Sequence, residues 1–158
     1  MDDLYLIIEF LLATFLAGII ATGGMTVFMN GITRAKITNA DMVRAVGSMF
    51  TKGSGDAALM VGAMLHLISG VGFAMIYTII VNFFGVPEGI ATIGGMTLLG
   101  AFHGFVLSFL LVVSVAEHHP LQEFQEAGIG VAVAHFVGHI VYGFLLGAVI
   151  TALRFRIV

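Results

Sequence analysis

The chain has 158 residues, 59% of them hydrophobic and 9% charged, with a formal net charge of −3. A soluble domain carries roughly 25% charged residues, so the medium around most of this chain is lipid rather than water. The lack of a basic patch excludes nucleic acid as a partner, and the lack of cysteine excludes disulfides, iron–sulfur ligation and thiolate zinc sites.

A membrane span needs about 20 mostly apolar residues to cross about 30 Å of hydrocarbon. The first such stretch is 4–29, with Glu9 near its start. The opening "MDDLYLIIEF" has Asp2 and Asp3 where a signal peptide has basic residues, so this run is expected to be retained as a span. Gly18, Thr22, Met25 and Met29 share one of its faces. Thioethers can ligate Cu(I), but Met at helical spacing is expected to be packing.

The link 30–56 holds Arg34, Lys36, Arg44 and Lys52. Within it "TNADMVRAVGSMF" offers Thr38 or Asn39 as an N-cap, and Met42, Val43, Val46, Met49 and Phe50 as one apolar face. This pattern predicts a short interfacial helix lying along the bilayer surface. A second span, 57–83, ends at "FFGVPEG", where Pro87 and the flanking glycines predict a tight turn.

The third span is 90–116 and the fourth 127–153, joined by the polar "EHHPLQEFQEAG". That link mixes Glu117, His118, His119, Glu123 and Glu126. A second metal site or a funnel is one reading; the favoured one is a solvated loop whose Glu123 and Glu126 start the fourth helix at its positive dipole end. Backbone groups in lipid must bond internally, so each span is read as a helix. The expected fold is all-α: a single domain (1–158) that is an up-down-up-down bundle of four transmembrane helices.

Lys and Arg set the orientation. Four lie in the long link, while Arg154 and Arg156 lie at the C-terminal end. The bias places the long link in the cytoplasm and both termini outside, in the cell (inner) membrane. A partial repeat is also visible: "GGMT" recurs at positions 23 and 94, and "HLISGVGFAMIYT" from His66 lines up with "HIVYGFLLGAVIT" from His139. This suggests two helical hairpins related by an axis along the membrane normal, or chance likeness between apolar segments.

Three spans carry histidine. With ~1.5 Å of rise per residue, His66 lies ~14 Å into its helix, His103 about halfway along, and His139 ~18 Å in, with His135 one turn shallower. His66 shares its face with Gly62, Gly70 and Tyr77, and His139 shares its own with His135, Tyr142 and Gly143. Small residues mark helix–helix contacts in membranes, so these rings are expected to point into the bundle.

Neutral imidazole is the commonest biological metal ligand, and an i, i+4 pair on one face reaches a single ion. His66, His103, His135 and His139 are therefore the candidate ligands of a transition-metal ion (Zn, Cu or Fe), or of haem b through two of them. The expected role is redox chemistry or metal handling. Two alternatives remain: an accessory subunit of a larger membrane complex, its histidines bonding between helices, and a small oligomeric channel or transporter. Either way the partners are the bilayer and other membrane subunits or further copies. Whether the chain is an enzyme is open, since no Gly-x-Ser-x-Gly, P-loop or carboxylate dyad is present.

The stretch "AGIIATGGMTVFM", followed by "HLISG" with its later Tyr and by "HIVYGFLLG", resembles small four-helix prokaryotic membrane proteins of an uncharacterised family. The resemblance implies the four-helix fold and no activity, and no site residue follows from it.

Overall fold

The computed structural model describes residues 2–111, 116–126 and 128–153, and among them there are helices and no strands. In chain order these are α1 (Asp2–Arg34), α2 (Met42–Thr51), α3 (Asp56–Phe83), α4 (Ile90–Val106), α5 (Gln122–Gln125) and α6 (Ile129–Leu153). A π-helical turn, Leu107–Leu111, continues α4. α1, α3, α4 and α6 are long and apolar enough to cross a membrane. Arg154 and Arg156, which weighed in the orientation, lie outside the described residues.

The helix ends follow local chemistry. α1 runs past the expected end at 29 and stops where Lys36 turns left-handed (φ 57°). Ile37 N–H then donates to Ile32 O at 3.2 Å, a bond that satisfies a terminal carbonyl. The same device ends α3: Gly85 takes φ 61°, Val86 N–H donates to Val81 O at 3.1 Å, and Pro87 prevents continuation. α2 is capped by Asp41, whose carboxylate accepts from Arg44 N–H at 3.1 Å. The expected caps, Thr38 and Asn39, lie further upstream. There the Thr33 hydroxyl accepts from Ala40 N–H at 2.9 Å and holds the chain before it can turn.

The packing is built on small residues. α4 crosses α6 backbone to backbone. A methyl group at Gly100 would collide with His139 O and with Gly143, and one at Gly147 would lie 2.7 Å from Ile93 Cα. α1 packs on α6 through Met25 and Met29, buried against Gly138, and on α3 through Gly18 against Val71 and Thr22 against Gly70. The Met face of α1 is packing, as its spacing suggested. α2 presses on α3 where Gly47 meets Ala58 and Gly62. Large apolar side chains such as Val27, Met60, Leu98 and Phe102 cover the outside, as a lipid-facing perimeter requires.

α3 and α4 are consecutive, yet they touch sparsely. Their contacts gather towards the connecting turn, where Tyr77 meets Leu99 and His103, and Phe73 meets His103. Beyond Phe73 the two helices leave a wedge, and the candidate site lies there. This arrangement departs from a two-fold pair of hairpins, because α1 packs on both α3 and α6 whereas α4 packs chiefly on α6.

Candidate functional site

A cavity of about 640 Å³ is lined by all four candidate histidines. α3 contributes His66, Gly70 and Phe73, α4 contributes His103, Leu107 and Ser108, and α6 contributes His135, His139 and Tyr142. Towards the links it is lined by Asp41, Glu123 and Glu126, and by Met42, Val46 and Met49 of α2. The apolar face of α2 therefore covers the cavity.

The closest pair of rings is His103 and His139, with centroids 4.8 Å apart and meeting edge to face. Gly104 makes this possible: a methyl group there would lie 2.6 Å from His139 Cβ. His66 and His135 face the same space from other walls. Among the described residues no three His, Asp or Glu side chains already converge as a metal-binding group.

The hydrogen bonds fix which nitrogen is free. His135 Nδ1 lies 2.9 Å from Val131 O, and His139 Nδ1 lies 2.8 Å from His135 O. A carbonyl only accepts, so each Nδ1 carries the proton, and in the neutral ring Nε2 keeps its lone pair. His103 Nδ1 lies 2.8 Å from the Tyr77 hydroxyl, which also reaches Leu99 O at 3.2 Å. When Tyr77 donates to Leu99 O and accepts from His103 Nδ1, all three atoms are satisfied and Nε2 of His103 is left as an acceptor. Nε2 of His66 and Nε2 of His103 are both buried without a hydrogen-bond partner.

Tyr142 donates to Gly70 O at 2.5 Å, and its ring stands edge-on to Tyr77 with centroids 5.8 Å apart. Those two phenols join α6 to α3 and α3 to α4 at the cavity floor. Both shared a face with a histidine in the sequence, but nothing there assigned them a bond. Ser108 carried no sequence signal at all; it is fully buried, lines the cavity, and its hydroxyl is unpartnered.

Most of the described residues of the 117–128 link are exposed, as expected of a solvated loop, but His119 and Phe124 are buried. His119 is 2% exposed, with Nε2 at 2.9 Å from Ala45 O and 3.3 Å from Ser48 Oγ. His118 is exposed. Glu123 belongs to the separate short helix α5, and α6 begins only at Ile129, so neither Glu123 nor Glu126 forms the first turn of α6. His119 is a fastener between this link and α2, because a buried imidazole needs partners and the α2 carbonyl supplies one.

No known protein family, curated protein or solved structure matches the chain.

Proposed function

We propose that this multi-pass membrane protein binds a transition-metal ion through His66, His103 and His139, with His135 as a fourth donor, in a metal-handling or redox role. The observation that carries this lies in the Nε2 atoms: those of half-buried His66 and His103 are buried without a partner, and those of buried His135 and His139 belong to rings whose Nδ1 donates to a carbonyl. An Nδ1–H bonded to a carbonyl or hydroxyl is the arrangement that orients a ligating imidazole. Among the described residues no three donors are placed to hold an ion as they stand, so in this proposal the donors shift when the ion is acquired. Zn, Cu and Fe all suit imidazole.

An ion is favoured over haem b held by two axial histidines. His103 and His139 meet edge to face at 4.8 Å, which leaves no room for a porphyrin between them; two axial ligands would have to be His66 with His103 or His139, and His135 would then have no role. The accessory-subunit alternative assigns the histidines to bonds between helices. Here His103 does share the bond from α3 to α4 with Tyr77, but Tyr142 supplies the one from α6 to α3, and His135 and His139 bond within their own helix.

In this proposal the four long helices run up-down-up-down, α2 lies at the interface as a cover, and the links at 35–41 and 117–128 face the cytoplasm. The apolar perimeter takes lipid and neighbouring membrane subunits or further copies. The test is elemental analysis and an absorption spectrum of the purified protein. About one ion per chain without a Soret band is expected, falling several-fold in His103→Leu and His139→Leu. Absence of any ion, before and after incubation with Zn²⁺, Cu²⁺ or Fe²⁺, refutes the proposal.

A further inference from the structure

Four imidazoles are enough for an ion, and most of the cavity remains. About 640 Å³ is the volume of a site for a small organic molecule, whereas one water takes up only about 30 Å³ in the liquid. The polar group that an ion does not need is Ser108.

In membrane helices Ser and Thr hydroxyls commonly bond to the carbonyl one turn back. Ser69 does so to Leu65 O at 2.8 Å, Thr78 to Ala74 O at 2.8 Å, and Thr97 to Ile93 O at 2.7 Å. Ser108 does not. It sits in the π-helical turn Leu107–Leu111, where the hydrogen-bond ladder shifts by one residue, and its hydroxyl is left buried and unbonded on the cavity wall. Turns of this kind recur at functional sites.

Three further observations define what would occupy the space. Phe73 and His103 stack with centroids 4.0 Å apart at 37°, so the wedge between α3 and α4 carries an aromatic wall. Ser69 lines the cavity and is itself exposed, so the cavity is open along α3. Among the described residues no Lys or Arg lines the cavity, while Asp41, Glu123 and Glu126 do, which disfavours an anionic head group.

The geometry points to a neutral, membrane-soluble ring compound bearing a hydrogen-bond-accepting oxygen, a quinone in its simplest form, that enters between α3 and α4 and takes its hydrogen bond from Ser108. Its ring lies along Phe73 and His103, and its apolar remainder fills the space under α2. This occupant is independent of the ion.

The test is calorimetric titration of the detergent-solubilised, chelator-treated full chain with a short-tailed ubiquinone, using oleate as competitor. One saturable site is expected, weakened roughly threefold to tenfold by Ser108→Ala, the loss typical of one hydrogen bond, with an unchanged melting temperature. Leu107→Trp, which fills the wedge, is expected to remove binding, and oleate is expected not to compete. Lack of saturable binding by the wild type, or a Ser108→Ala protein that binds as tightly as wild type, overturns the inference. Equal displacement by oleate overturns the assignment of a neutral ring. Because metal is absent from the titration, failure of the ion proposal leaves this result readable.

Discussion

His139 shows how a single side chain is held in place. Its Cβ rests over Gly104, its Nδ1 donates to the carbonyl one turn back, and its ring edge meets His103. Tyr142, three residues on, donates to Gly70 O at 2.5 Å and holds α6 to α3 beneath the cavity. Hydrogen bonds between membrane helices contribute about 0.6 kcal/mol on average and up to ~1.7 kcal/mol, and this one is short and buried. Tyr142→Phe is expected to lower stability by about 1 kcal/mol in denaturant unfolding of the micellar protein. His119→Ala is expected to speed amide hydrogen exchange across Met42–Thr51, because it removes the contacts to Ala45 O and Ser48 Oγ. At this scale His66, His103, His135 and His139 were legible, since titratable rings in apolar spans stand out and helical spacing places them. His119 was not: its setting in a polar link reads as solvent, and only the approach of α2 buries it.

Among the elements, the crossing of α4 and α6 depends most on sequence. Gly100 meets Gly143, Gly104 lies under His139 and Gly147 lies against Ile93, and this lets the two backbones touch. Gly143→Val puts a side chain into Met96 O and is expected to abolish the folded state, read as loss of the monodisperse peak on size exclusion. Gly94 has no atom within 4 Å of where a Cβ would be. Gly94→Ala is therefore expected to be neutral or to raise stability by up to about 1 kcal/mol, the helix-propensity difference between the two residues. The amphipathic pattern of Met42, Val46 and Met49 revealed α2 in advance, but its cap and its neighbour were hidden. Asp41 is the cap because Thr33 ties down the preceding turn, and the apolar face covers a cavity, which periodicity alone does not distinguish from a bilayer surface. The π turn at Leu107–Leu111 had no signature, because its sequence, LSFLL, contains no breaking residue.

For the whole molecule, composition pointed to lipid around the chain, and hydropathy located four helices long and apolar enough to cross a membrane. The order of packing was less accessible. α3 and α4 are joined by a tight turn, yet they touch sparsely, because the small-residue face of α4 is taken by α6 while α3 packs on α1 and α2. The cavity follows from that separation, and so does its lining by residues far apart in the chain. Orientation can be tested cleanly because the native chain has no cysteine. Ile37→Cys, in the link after α1, is expected to react with a membrane-impermeant maleimide only from the cytoplasmic side, and Phe84→Cys only from the outside. The central claim concerns the ion, and its most direct measurement is X-ray absorption at the zinc edge of the zinc-loaded protein. The account predicts three or four imidazole nitrogens at ~2.0–2.1 Å, reduced by one in His103→Leu. A first shell of oxygen alone, or one unchanged by that substitution, would contradict it.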